Sequence, residues 1–142
     1  MKISPILFFN FNRPKTKKKV FSAIKIAQLL RLYIAADGPR SEKSEEANLC
    51  ELARTIATNV DWDCEVKTLF RDQNLGCRLA VSQAIDWFFE QEPEGIILED
   101  DCLPDQTFFW FCKELLEKYR NETRIMHIGG TNFQFGKKQN KL

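Results

Sequence analysis

Along this chain, short and dense apolar runs alternate with longer segments whose apolar residues recur every three or four positions. "PILFFNF" (5–11) predicts a buried strand, ended by Asn12-Arg13-Pro14. Residues 15–30 carry Val20, Phe21, Ile24, Ala27 and Leu30 near the helical period, and Pro14 suits the first turn of that helix. "RLYIAAD" (31–37) predicts a second strand, stopped by the turn signal "DGP". Residues 41–59 predict a helix capped by Ser41 or Ser44, with Leu49, Leu52, Ala53 and Ile56 on its buried face. "CEVKTLFR" (64–71) alternates as a third strand does, and 77–91 reads as a helix with Ala80, Val81, Ala84, Ile85 and Phe88 inward. "EGIILE" (94–99) is apolar on both faces, which predicts a central strand. An aromatic-rich helix over 105–120 and a fifth strand, "RIMHIGG" (124–130), complete the pattern, followed by a frayed tail over 135–142.

The β-α alternation predicts one α/β domain over 1–142, a three-layer α/β/α sandwich with a mostly parallel sheet. Right-handed crossovers bring the carboxyl ends of such strands to one edge, where ligands bind. That edge carries Asn10 to Arg13, Asp37-Gly38, Arg71 to Gly76, Glu99 to Asp101, and Gly129 to Asn132.

Charge narrows the partners. Lys and Arg total 21 against 20 Asp and Glu, so bulk electrostatics gives no reason to expect nucleic-acid binding. No apolar run reaches the ~18–20 residues that cross a bilayer, and the N-terminal segment lacks a small-residue cleavage site. The five cysteines are odd in number, widely spread and without a C-x-x-C, which excludes a disulfide framework and a zinc-binding spacing. Reduced thiols in a cytoplasmic protein, free or peripheral to a membrane, are the simplest expectation.

The chemistry concentrates in "GIILEDDCLP" (95–104), where Glu99, Asp100 and Asp101 emerge together at the end of a strand. Three adjacent carboxylates repel one another unless a positive group joins them, and unpaired carboxylates are costly to bury. On a strand-end rim they suit Mg²⁺ or Mn²⁺, which takes one or two protein carboxylates plus phosphate oxygens. A solvated acidic loop is the plainer alternative. Asp37 is either a turn residue or an acceptor for a nucleobase or ribose. Arg13 is either a surface charge, in keeping with "KTKKK" beside it, or a bidentate phosphate contact. Arg78 stands one turn into the third helix, either as a surface residue or within reach of a base or diphosphate. Asn74 and Gly76 shape the loop before it, since both tolerate positive φ. His127, the only histidine, reads as a satisfied core residue on strand five. Four consecutive aromatics, "FFWF" (108–111), cannot all face inward, so an exposed aromatic patch is expected there.

Taken together, "FNFNRP", "YIAADGPR", "FRDQNLGCRLAVSQAI" and "GIILEDDCLPDQTFFWF" resemble, in order and approximate spacing, the nucleotide-sugar-binding half of GT-A-fold glycosyltransferases. The resemblance is to N-acetylglucosaminyltransferase I-like and family-2-like enzymes, over most of residues 5–130. It implies a nucleotide-diphospho-sugar transferase fold and a DxD-type motif at Glu99-Asp100-Asp101. Asp101, with Glu99, would hold manganese or magnesium at the diphosphate of a UDP-sugar. Asp100 would lie near the ribose, Asp37 at the base, Arg13 at the diphosphate and Arg78 near the base, with Asn12 a further contact to the nucleotide sugar. The catalytic base and the acceptor-binding half of such enzymes are not evident downstream of strand five. The acceptor half is therefore expected to be truncated, and donor binding is better supported than turnover. A non-catalytic nucleotide-sugar-binding or protein-interaction module, pairing as an oligomer or with a partner subunit through the aromatic helix or the sheet edge, is the alternative. A receiver-like phosphotransfer domain fits less well, because strand one ends in Asn-Arg-Pro rather than paired acids.

Overall fold

A computed structural model of the protein describes residues 3–131. The elements run β1 (Ile6–Asn10), α1 (Pro14–Ala27), β2 (Arg31–Ala36), α2 (Glu46–Thr58), β3 (Glu65–Phe70), α3 (Cys77–Phe89), β4 (Ile96–Leu98) and α4 (Gln106–Tyr119). All strand pairs are parallel, in the order β3-β2-β1-β4. The chain steps outward from β1 through β2 to β3, then crosses back to β4 on the other side of β1. The strand order therefore reverses between β1 and β4, the place where open α/β sheets bind ligands.

Strand alternation divides the core into two layers. Ile6, Phe8, Leu32, Ile34, Ile96 and Leu98 pack with Val20, Phe21 and Ile24 of α1, Ala57 of α2 and Phe109 of α4. On the other face Leu7, Tyr33 and Ala35 meet Ala84 and Phe88 of α3. The result is an α/β/α sandwich with one helix on one side and three on the other.

The eight elements match the expected ones to within a few residues, except at the start of α2. That helix begins at Glu46 with no side-chain cap, so neither Ser41 nor Ser44 caps it. Its buried face is also turned from the expected one: Glu46, Cys50, Ala53 and Ala57 are inside, while Leu49 and Leu52 are exposed. Small side chains face inward there because α2 packs beside α1 as well as over the sheet.

Two further expectations are corrected. Among the described residues β4 is an edge strand, not a central one, because it pairs only with β1. Residues 124–130 form no strand: they follow α4 without regular structure and are exposed, Met126 almost completely. His127 is accordingly at the surface and not in the core. A strand needs a neighbour to bond with, and this run pairs with neither edge of the described sheet. The expected frayed tail, 135–142, and Asn132 lie outside them.

The aromatic block divides as its helical position requires. Phe109 is buried and Phe108 packs against the core, while Trp110 and Phe111 are about half exposed. Asp105 caps α4 by accepting from the Thr107 N–H at 2.9 Å.

Candidate functional site

The carboxyl ends of the strands enclose an open cleft of about 440 Å³. Its walls come from all four strand ends and from the first turns of α3. Small side chains, Ala35, Ala36, Ala80 and Ala84, line the part between β2 and α3. That leaves a slot with apolar sides. Charged groups surround it: Arg13, Arg40, Arg71, Asp37, Glu99, Asp100 and Asp101.

The sequence at each strand end explains the placement. Asp37 follows β2 directly, and its carboxylate accepts from three backbone N–H groups: Gly38 (2.9 Å), Leu75 (2.9 Å) and Gly76 (3.1 Å). It thereby fastens the 73–76 loop against the end of β2. Two glycines permit this. A Cβ on Gly38 would come within 2.4 Å of the Gln73 backbone, and Gly76 has φ +79°. Asn74 supports the loop in another way than expected: its φ is not positive, and its side-chain amide donates to the Gly38 carbonyl at 2.9 Å. Arg54 of α2 braces the same region, donating from Nη2 to the carbonyls of Asp37 (3.3 Å) and Arg71 (2.5 Å).

At the other end of the cleft stand the three acids. Asp100 is nearly buried, 9% exposed, and accepts from the Phe11 N–H at 3.3 Å. Burial pushes its carboxyl above the usual range, against the opposing pull of that N–H, Arg13 and Lys17. Asp101 pairs with Arg13, Nη1 to Oδ2, at 2.5 Å. Both partners are about half exposed, so the pair contributes only ~1 kcal/mol or less and can be exchanged for a ligand. Arg13 is thus the positive group that relieves the triplet in this structure. Glu99, Asp101 and Cys102 place one ligand atom each within 4.8 Å of one another. Cys102 donates its thiol to Asp101 Oδ1 at 3.5 Å, and burial with the neighbouring acids pushes that thiol up.

Two expected contacts lie elsewhere. Asn12 does not line the cleft; its amide donates to Glu46 Oε1 at 2.7 Å and ties the end of β1 to α2. Arg78 is exposed and is not part of the lining, whereas Arg40 and Arg71 are. Arg40 holds buried Glu46 through its backbone N–H (2.7 Å) and its Nε (3.0 Å). Arg40, with the Asn12 amide, draws the Glu46 carboxyl down to about 2. A carboxyl lowered in the folded state stabilises above its unfolded pKa, and that contribution is lost as pH falls from ~4.3 toward about 2. Glu46→Gln is expected to lower the thermal midpoint at neutral pH and to flatten the loss of stability over that acid range, read by thermal denaturation from pH 7 to 2.

Sequence reasoning missed Lys17, and it placed Asn10 at the ligand edge without giving it a role. Lys17 is not part of a solvated basic face: it is fully buried, its Nζ has no hydrogen-bond partner among the described residues, and it lies 5.2 Å from the Phe8 ring centroid. Burial lowers its pKa to about 7 although Asp100 opposes the shift. The signal was present, since Lys17 stands three and four positions before Val20 and Phe21 on the buried stripe of α1. Asn10, at the end of β1, lines the cleft, is 5% exposed, and has no partner for Oδ1 or Nδ2 among the described residues.

Fold and site together define an all-parallel α/β sandwich, compatible with the Rossmann-like class, with a mixed-charge cleft at its switch point. No family model, no curated protein and no solved structure matches this chain. No described helix is long and apolar enough to cross a membrane.

Proposed function

We propose that the chain is a GT-A-type donor-binding domain that takes a nucleotide diphosphosugar, a UDP-sugar, together with Mn²⁺ or Mg²⁺, for transfer to an acceptor. The observation that carries this reading is the convergence of Arg13, Asp37, Glu99, Asp100 and Asp101 around one cleft at the switch point of the sheet. The alanine-lined slot beside Asp37 accommodates a flat base. The loop fixed by Asp37 forms one end of that slot, and the carboxylate keeps one lone-pair site beyond its three N–H contacts.

Asp101 and Glu99 are the residues that would hold the cation, whose chemistry is to neutralise charge on the leaving diphosphate. Arg13, released from Asp101, supplies a guanidinium to the same phosphates. Arg40 and Arg71 add positive potential along the wall. These groups act where negative charge grows as the sugar bond breaks, so they favour the transition state over the ground state. Asp100, held by the Phe11 N–H, presents a fixed acceptor beside the ribose.

Isothermal titration of UDP with and without Mn²⁺ tests this reading. Mn²⁺-dependent binding is expected, and Asp101→Asn is expected to weaken it at least tenfold. Affinity that ignores Mn²⁺, or full affinity in Asp101→Asn, would reject the metal-bridged diphosphate.

An interaction module is the second reading. It is favoured by the exposed Leu103, Trp110, Phe111, Ile125, Met126 and Ile128 around α4 and the segment after it. Sedimentation showing a stable oligomer, in a protein that binds no nucleotide, would support it.

A further inference from the structure

In the free protein the two groups that would meet a metal and a phosphate are occupied by each other. Arg13 leaves β1 at the N-cap of α1, where Pro14 begins the helix and the Arg13 carbonyl accepts from the Lys17 N–H at 3.1 Å. Asp101 stands in the turn after β4, where the Cys102 N–H donates to the Glu99 carbonyl at 3.2 Å. β1 and β4 are neighbours, with Phe8 in register with Leu98, so the two exits lie side by side where the strand order reverses. The pair, Nη1 to Oδ2 at 2.5 Å, joins them at the wall of the cleft. The other oxygen of Asp101, Oδ1, accepts from the Cys102 thiol at 3.5 Å. Both oxygens that a cation would take are thus engaged by donors of this chain.

The backbone keeps both groups in place whether or not they pair. The Phe11 N–H donates to Asp100 Oδ2 at 3.3 Å and ties the β1 exit to the acids independently of Arg13. The Arg13 and Asp101 side chains are 58% and 43% exposed, so water receives either one when it lets go, and the fold loses little. A cation alone at Asp101 must displace the guanidinium and leave two positive groups facing each other. A diphosphate alone at Arg13 must draw the guanidinium away and leave Asp101 beside more negative charge. With both ligands bound, Arg13 meets phosphate, Asp101 meets the cation, and neither charge is stranded. A coupling of this kind is reciprocal: each ligand raises the affinity of the other by the same factor.

We propose that the Arg13–Asp101 ion pair is a built-in latch, in which each side chain blocks the other's ligand, so that a divalent cation and a nucleoside diphosphate bind cooperatively; this rests on the donor-binding reading above. Either ligand bound by itself opens the latch at its own expense, and the second ligand then finds its partner group already released.

The test is calorimetric titration of Mn²⁺ alone, of UDP without metal, and of UDP with Mn²⁺ into the wild-type chain, Arg13→Ala and Asp101→Asn. Arg71→Ala and Glu99→Gln serve as controls, because they remove the same charges from the same cleft without releasing a partner. Arg13→Ala is expected to bind Mn²⁺ alone about three- to fivefold more tightly than wild type, the range an exposed ion pair allows. Asp101→Asn is expected to bind metal-free UDP more tightly by a similar factor, and the controls to change by less than twofold. The factor by which Mn²⁺ raises UDP affinity should shrink in Arg13→Ala, while the ligand-free thermal midpoints of both variants stay close to wild type. No gain in either variant, or equal gains in the controls, would overturn the latch; Mn²⁺-dependent UDP binding by the wild type would still uphold the donor-binding reading. A wild-type chain that binds neither UDP nor Mn²⁺ would overturn both. Loss of folding in both Arg13→Ala and Asp101→Asn would assign the pair a structural role instead.

Discussion

Lys17→Met is expected to stabilise the protein at neutral pH by on the order of 3 kcal/mol, because it keeps the volume of the stem and removes a buried amine that has no partner among the described residues. The pH dependence follows from the direction of the shift. The folded-state pKa is lowered to about 7, below its unfolded value of ~10.4. Below about 7 the native state must carry the buried charge, so Lys17 lowers stability most there. Above about 7 the native state sheds the proton while the unfolded chain keeps it, so stability rises with pH by up to ~1.4 kcal/mol per unit. The thiols act in the opposite sense: burial raises Cys50, Cys64, Cys102 and Cys112, so their contribution falls as pH passes the unfolded thiol value of ~8.5. The clean window therefore lies between about 7 and ~8.5. Denaturant unfolding at several pH values in that window should show a rise in wild type that is absent from Lys17→Met. An equal rise in both proteins would assign it to another group.

Asp37→Ala is expected to cost ~2–4 kcal/mol, since it strips the acceptor from three backbone N–H groups of one loop. Asp37→Asn keeps one oxygen and is expected to fall between. The loss is local as well as global. Residues 73–76 lose their tie to the end of β2, and amide exchange there should accelerate more than in the sheet. The wall of the slot shifts with them, so nucleotide affinity is expected to fall in Asp37→Ala. Wild-type stability and exchange in Asp37→Ala would show that the loop stands without its carboxylate clamp.

The order of elements was readable because each segment buries a stripe with its own period. "PILFFNF" and "RLYIAAD" are too apolar and too short to be amphipathic helices, and Pro14 and Gly38 mark where they stop. The face of α2 was not readable. Leu49 and Leu52 are the larger apolar residues, but contact with α1 selected the narrow side, Cys50, Ala53 and Ala57. Residues 124–130 misled in the opposite way: "RIMHIGG" has the composition of a strand, but strand formation needs a bonding neighbour that no local pattern supplies. Of the candidate site, the chemistry at Arg13, Asp37 and Glu99 to Asp101 was visible because each group follows a strand directly. Asn12 and Arg78 were chosen on the same positional logic. The structure gives Asn12 to Glu46 and leaves Arg78 exposed, outside the lining of the cleft.

The sequence by itself determined an alternating α/β chain and most of the residues that meet at the carboxyl edge of its sheet, because periodicity and turn chemistry act over a few residues. The tertiary structure decided what those residues touch. Asp37 clamps a loop, Arg13 neutralises Asp101, Lys17 is buried, and the Asn10 amide finds no partner among the described residues. Each outcome depends on groups brought together from distant parts of the chain, where burial and hydrogen-bond supply are set by packing.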